Sequence, residues 1–359
     1  MFGQISPDII LLLMLYAVGA AMAFIACVYL LFRRGNAFVS DIVTPVRLRR
    51  WTAAFFASLA LGHVWYMPAA MFTSSENIKL SLLIGGLLDC MTVIPLAIVI
   101  LFCMLQDRRR TLWPVCVMTA PLIVAMSICI ATRSYTLVPI LRIYLLLLGI
   151  GLLIYMVHAV RQYGRWLREN YADLEHKEVW QSFVVLAVIL LMFGIYVSGV
   201  GGPAYEYIVQ VCGIVLVCYL LWRVETLSDL SISVPLSIPV EEETAAPDQI
   251  APLLQQHCVD TQLYLQHDLT VAQLAQSIGT NRFYLGQYFS RQDTTYNAYI
   301  NNLRISHFVR LYDEAVAAQR PFTAQQLAND SGYRSYSTFS LAFKQRMGQT
   351  VTAWMRERK

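Results

Sequence analysis

The sequence predicts an all-α protein in two parts. Seven transmembrane helices occupy residues 1–225, and after a linker at 226–250 a polar tail, 251–359, holds two helix-turn-helix units joined by a long helix. Three observations support this. The 359 residues are 57% hydrophobic and only 14% charged, with a mean hydropathy of +0.52, which is too apolar for one water-soluble domain. The charges are uneven: residues 1–225 hold 16 Lys/Arg and 11 Asp/Glu, while the shorter remainder holds 11 and 12. Finally, two stretches of the tail repeat one order of capped helix, glycine and second helix. The net charge of +4 is too small to imply a nucleic-acid partner by itself, so any such partner must be read from local pattern.

A membrane-crossing helix needs about 20 mainly apolar residues. Seven stretches qualify, at 8–32, 51–73, 80–105, 112–132, 136–160, 179–199 and 204–224. Only a tight turn made by Gly199, Gly201, Gly202 and Pro203 separates the last two. Loops one, three and five carry Arg33, Arg34, Arg47, Arg49, Arg50, Arg108, Arg109, Arg110, Arg161, Arg165, Arg168 and Lys177; the alternate loops carry only Lys79 and Arg133. Positive residues are retained on the cytoplasmic side, so the N-terminus is expected outside and the tail inside an inner, cytoplasmic membrane. The first apolar run is too long for a signal-peptide core and is read as an uncleaved span. Trp51, Trp113, Trp180 and Trp222 fall near expected cytoplasmic helix ends, where an amphipathic indole suits the headgroup level. The outward loops are too short to fold as a sensor domain, so a signal would be small, lipidic or mechanical.

Ionisable side chains within spans are costly and mark candidate sites. His63, Asp89 and Arg142 lie at comparable depths, on the order of 10–14 Å from the outer helix ends at about 1.5 Å per residue. With Trp65, Tyr66, Tyr144 and Glu206 nearby they define a candidate outward-facing pocket. The plainer reading is a buried Asp89–Arg142 ion pair that fixes helix packing, with His63 hydrogen-bonded to a neighbour. Of eight cysteines, seven lie in apolar spans and Cys258 in the tail, with no CxxC pair and no Cys/His cluster at ligand spacing. They read as packing residues, and neither a metal nor a cofactor is expected. Loop five reads as a solvated positive loop. The alternative is that Arg161, Arg165, Trp166, Arg168 and Tyr171 extend span five as a basic amphipathic helix that couples to the tail or binds anionic lipid.

The linker has three prolines, an acidic run at Glu241–Glu243 and no helical periodicity. Extended at about 3.3 Å per residue it would reach roughly 80 Å. Beyond it, Thr270 precedes Gln273 and Thr323 precedes Gln326, each spaced as a capping box in which hydroxyl and amide side chains satisfy orphan N–H groups. Each start leads through a short helix to a turn glycine, Gly279 or Gly332, and then to a second helix, defining units at about 270–291 and 323–347. Between them Tyr299, Leu303, Ile305, Phe308, Val309 and Tyr312 recur at helical intervals. One helix-turn-helix pattern is a weak signal, but two held about one DNA turn apart by a rigid helix match successive major grooves.

The tail resembles the AraC/XylS family of bacterial transcription regulators over residues 253–359. The most specific stretch is Gly332-Tyr333-x-Ser335-x-Ser337-Thr338-Phe339-x-x-x-Phe343-Lys344-x-x-x-Gly348-x-Thr350-x-x-x-Trp354. The resemblance implies that bases are read by Phe283, Gly286 and Gln287 on the first recognition helix and by Tyr336, Ser337, Ser340 and Leu341 on the second. It also implies that Tyr333, Phe339, Phe343 and Trp354 are core. Arg282, Arg291, Arg334, Lys344 and Arg346 read as phosphate contacts, which position a protein without specifying sequence, or as solvated surface charges. Two departures stand out. The first unit lacks the glycine usual after its recognition helix, reading Arg291-Gln292-Asp293-Thr294-Thr295. In addition, Gly286 and Leu341 stand where longer polar side chains are common, so direct readout is expected to be sparse.

The expected function is a membrane-embedded transcription regulator, not an enzyme: no phosphate-cradling glycine loop, HExxH or GxSxG motif occurs. Its expected partners are double-stranded promoter DNA, the lipid bilayer, a second copy in a homodimer, RNA polymerase, and a small or lipidic signal. The alternative is a transporter or intramembrane enzyme with a fused regulatory tail, which would need more interior polarity than His63, Asp89 and Arg142 supply. A retinal photoreceptor would need a lysine in a late span, and spans six and seven have none. The signal could reach the tail by altered subunit packing or by proteolytic release at the linker.

Overall fold

A computed structural model describes residues 7–40, 42–66, 73–185, 187–188, 191, 204–231 and 250–358. The chain forms two compact units, Met1–Arg161 with Val179–Asp229, and Gln162–Glu178 with Leu230–Lys359. All named elements among the described residues are helices, and the one β-type pairing is an isolated bridge.

The first unit contains α1 (Pro7–Phe32), α2 (Val46–Trp65), α3 (Ser75–Met91), α4 (Val93–Met104), α5 (Trp113–Thr132), most of α6 (Val138–Asn170) and α7 (Ala204–Thr226). Five spans among the described residues are long and apolar enough to cross a membrane: Ile10–Phe32, Ser75–Met104, Trp113–Thr132, Val138–Asn170 and Tyr205–Thr226. This is fewer than the expected seven, for two reasons. The expected second span begins in α2, whose first turn carries Arg47, Arg49 and Arg50, and it ends among residues 67–72, outside the described residues. Most of the expected sixth span and its Gly/Pro turn likewise lie outside them, although residues 180–185 are helical. Of the linker, 232–249 lie outside them too.

The expected third span is broken into α3 and α4 at Thr92, where φ is −123° and ψ −66°. Pro95 accounts for the break: it has no N–H to donate, and its ring crowds the carbonyl four residues earlier, at Met91. Thr92 repairs the site locally, its Oγ1 donating to Leu88 O at 2.8 Å. At the Arg33 end of α1, the Arg33 guanidinium lies 2.9 Å from the fully buried Glu225 carboxylate of α7. Asn36 Nδ2 donates to Glu225 O at 2.6 Å and Asp229 N to Val43 O at 2.8 Å, so the last span is tied to the first where the chain leaves it.

The second unit begins with α8 (Ile250–Leu254), a π turn at Gln255–Val259 and a 3₁₀ turn at Leu263–Leu265. There follow α9 (Val271–Ser277), α10 (Arg282–Arg291), α11 (Tyr296–Ala317), α12 (Ala324–Asp330), α13 (Tyr336–Met347) and α14 (Val351–Glu357). Thr270 and Gln273 complete their capping box in both directions, while Thr323 Oγ1 accepts from Gln326 N at 3.1 Å. In place of the missing family glycine, Asp293 takes the left-handed conformation at φ 47°, one that Asp tolerates better than most residues.

The long helix α11 is shared by two cores. Tyr296 and Ile300 join Leu274, Leu285 and Phe289 in the first; Ile305, Phe308 and Tyr312 join Phe339, Phe343 and Trp354 in the second. Tyr333, Phe339, Phe343 and Trp354 are all 3% exposed or less. Between the cores lies Arg304, 1% exposed, whose Nε donates to Tyr264 O at 2.7 Å and Nη2 to Gln266 O at 2.6 Å.

The two turn glycines both have positive φ, 69° at Gly279 and 92° at Gly332, but only the second is crowded. A Cβ at Gly332 would lie 2.8 Å from Leu265 Cα and 2.9 Å from its carbonyl oxygen, whereas one at Gly279 meets nothing within 4 Å. Gly279→Ala is therefore expected to cost about 1–2 kcal/mol, the left-handed penalty alone. Gly332→Ala should cost distinctly more, because backbone must also move, and pulse proteolysis of the two variants compares them.

His307 gives the tail a pH response. Its Nδ1 lies 2.9 Å from Tyr264 Oη and 3.1 Å from Arg310 Nη2. A guanidinium can only donate, so Nδ1 accepts and the ring is neutral. Burial and then the Arg310 charge lower its pKa from the usual 6.5. The unfolded chain binds a proton that the folded chain refuses, so stability is full above the unfolded value and declines as pH falls toward the lowered folded one. The tail should melt at a lower temperature at about pH 5.5 than at about pH 7.5, and His307→Gln should shrink the difference.

Candidate nucleic-acid interface

Each unit's second helix is built to present one face. In α10, Leu285 and Phe289 are buried four residues apart, which turns Phe283, Gly286 and Gln287 outward; all three are exposed. In α13, Phe339 and Phe343 play the same part, leaving Ser337 and Leu341 exposed and Tyr336 and Ser340 half-buried. Phe283 and Leu341, at 64% and 61% exposure, are large apolar side chains held in solvent on the helices' outward faces. Side-chain caps set both starts: Asn281 Oδ1 accepts from Phe283 N and Tyr284 N at 3.0 and 3.1 Å, and Ser335 Oγ accepts from Thr338 N at 3.3 Å.

Arg282, Arg291, Arg334, Lys344 and Arg346 are all exposed. Arg334 is not free, since its Nη2 lies 2.6 Å from Asp268 Oδ2. Loop five supplies further neighbours to this face, following the alternative in which it extends the fifth span as a helix and couples to the tail. Residues Gln162–Asn170 continue α6 as helix, with Tyr163 and Leu167 buried, so the loop expected to be solvated is instead folded into the second unit. There Glu175 Oε2 accepts from Thr338 Oγ1 at 3.0 Å, and Lys177 Nζ lies 3.8 Å from Asp268. Burial is the main cause of a lowered Lys177 pKa. The apolar face of Tyr163, Leu167 and Tyr171 was the available signal.

In the first unit, Tyr66 Oη donates to Asp89 Oδ2 at 2.7 Å, and His63 Nδ1 lies 2.7 Å from Leu59 O with Tyr16 packed edge-on against its ring. Arg142 is exposed on α6, and among the described residues the acidic partners found within ion-pair distance do not include an Asp89–Arg142 pair. The structure thus brings Asp89 together with Tyr66 and leaves Arg142 apart. No cluster of three potential metal ligands occurs among the described residues.

Residues 274–357 match the family described as a helix-turn-helix domain. No curated protein and no solved structure matches the chain. The match begins inside α9 and ends at the last residue of α14, so it covers all but the start of the first helix-turn-helix unit, the whole of the second and the helix between them. Residues 274–357 are therefore an AraC-type helix-turn-helix domain, the module of a DNA-binding transcription regulator.

Proposed function

We propose that the chain is a membrane-embedded transcription regulator: seven helices, N-terminus outside, receive a small or lipidic signal, and the cytoplasmic AraC-type domain binds promoter DNA as one half of a homodimer. The observation that carries this reading is an AraC-type domain on the same chain as five helices long and apolar enough to cross a membrane. The positive loops favour the orientation, and short outward loops favour a signal received within the bilayer. Tyr336, Ser337, Ser340 and Leu341 on α13, with Phe283, Gly286 and Gln287 on α10, read bases. The exposed Phe283 and Leu341 suit thymine methyl groups, and the hydroxyl-bearing residues suit base edges. Arg282, Arg291, Arg334, Lys344 and Arg346 hold phosphates. The half-buried His63 and Asp89, with Tyr66 and without Arg142, form the sensing pocket, and the promoter-bound dimer contacts RNA polymerase.

Genome-wide DNA occupancy of the intact, tagged protein, compared with a Tyr336→Ala/Ser337→Ala/Ser340→Ala variant and combined with membrane fractionation, tests this. Discrete sites lost in the variant, with full-length protein in the membrane fraction, are expected. Sites bound only by a shortened soluble fragment would replace tethered action with proteolytic release. No specific sites under any growth condition would sink the regulator reading.

A further inference from the structure

Residues Gln162–Glu178 fold into the same compact unit as the helix-turn-helix domain, and their attachment is specific. Tyr171 pairs antiparallel with Thr270, and Ala172 N donates to Leu269 O at 3.3 Å. Asn297 Nδ2, on α11, donates to the carbonyls of Tyr171 at 3.2 Å and Ala172 at 2.6 Å. Ala172 itself is 2% exposed within the first core. From this anchor the chain reaches α13, where Glu175 accepts from Thr338, and turns back at His176 with φ 60°. Tyr163 Oη then donates to Lys177 O at 3.1 Å, closing the loop on α6. On the other side Trp166, Asn170 and Tyr171 face Thr270, Val271 and Arg282 across a cleft of about 30 Å³.

The segment touches the start of one recognition helix and borders the start of the other across the cleft. Such a helix enters the major groove by its N-terminal residues, with phosphates passing beside its first turn. Arg282 is the first residue of α10 and Thr338 the third of α13. Thr338 lies about 100° round the helix from Ser337, so it flanks the outward face without belonging to it. A carboxylate beside the start of α13 is favoured there for the reason a phosphate would be, because the helix N-terminus carries partial positive charge. The two anions cannot share that place. Arg334, expected to hold a phosphate, is engaged by Asp268, whose position Lys177 steadies from within the same segment.

We propose that residues 162–178 and duplex DNA compete for the N-terminal ends of the two recognition helices, and that the arrangement described here is the DNA-excluded form. The proposal rests on the DNA-binding reading above. Whatever lifts the segment raises affinity for DNA, and DNA by the same factor disfavours the docked segment. Because the segment continues α6 covalently, a rotation or shift of that span has a direct route to the DNA-binding surface. Loop five is then the competitor whose release opens the domain.

The test uses the full-length protein in lipid nanodiscs and short duplexes enriched from genomic fragments by that same protein. Glu175→Gln removes the carboxylate charge, and Asn297→Ala removes the two side-chain hydrogen bonds of the anchor without touching either recognition helix. Glu175→Gln is expected to bind the enriched duplex about fivefold more tightly, the effect of one weakened hydrogen bond in the docked form, and Asn297→Ala, which removes two, at least as much. A gain in affinity cannot arise from misfolding. Hydrogen exchange at the Ala172 amide, which is bonded to Leu269 O in the docked form, should accelerate when duplex is added. Equal or weaker binding by both variants, with Ala172 protection unchanged by DNA, overturns the proposal while leaving the DNA-binding reading intact. Failure of every form, wild type included, to retain a duplex overturns that reading and this proposal with it.

Discussion

Phe339→Ala is expected to unfold the second helix-turn-helix unit and abolish specific DNA binding. The Phe339 ring is fully buried, with centroids 4.4 Å from Phe308, 5.2 Å from Tyr333, 5.5 Å from Phe343 and 5.8 Å from Tyr336. Truncating a phenylalanine so enclosed costs about 3–5 kcal/mol, through lost transfer energy and the cavity left behind. Against a typical total of about 5–15 kcal/mol for a whole domain, that is enough to melt a unit whose core is this one aromatic cluster. The first helix-turn-helix unit has its own core around Leu274, Leu285 and Phe289, so the loss should be local. Hydrogen exchange should show protection lost in α12, α13 and α14 and retained in α9 and α10. Loss of protection spread evenly over both units would show that the two cores fold as one.

Arg304→Leu should have a comparable effect with a different signature. The guanidinium sits between the two cores and satisfies the carbonyls of Tyr264 and Gln266, with the Tyr333 ring 5.5 Å from its Cζ. Hydrogen bonds involving a charged group contribute about 1.5–3 kcal/mol each, so removing two and leaving the buried Tyr264 carbonyl unpaired costs roughly 3–6 kcal/mol. Because these carbonyls belong to the turn at 263–267, and α11 serves both cores, both units should loosen together. Arg304→Lys should recover only part of the loss, since a single ammonium cannot reproduce the planar fork that reaches both oxygens. Urea denaturation followed by tryptophan fluorescence of Trp354 would compare the two variants, and full rescue by lysine would refute the two-carbonyl account.

Much of the tail was legible because its signals are local. Thr270 with Gln273, the turn glycines and the spacing of Phe339, Phe343 and Trp354 each fix structure within a few residues, and the helices follow them. Arg304 was not legible: nothing in its neighbourhood separates a buried arginine from the solvated ones at Arg310 and Arg320, since its partners lie some 40 residues earlier in the chain. The same holds for Glu175 and Asn297, whose contacts join residues more than 120 apart. In the first unit the apolar lengths were plain, but two finer features were missed. Pro95 was visible in the sequence, and the physics of its missing N–H explains the interruption at Thr92. Asp89 was expected near Arg142 on grounds of equal depth, yet depth does not fix azimuth round a helix axis, and the carboxylate faces Tyr66 instead.

The caps on the recognition helices have a consequence for how the domain behaves in the cell. Asn281 and Ser335 take up first-turn amides, the groups that hold phosphates at an uncapped helix start. On the proposed reading, in which arginine and lysine side chains hold the phosphates, each such contact releases condensed counterions at a slope of about 0.9. If the proposed function holds, promoter occupancy follows intracellular potassium, so that osmotic stress, which alters ionic strength, acts through the helix-turn-helix domain independently of any membrane signal.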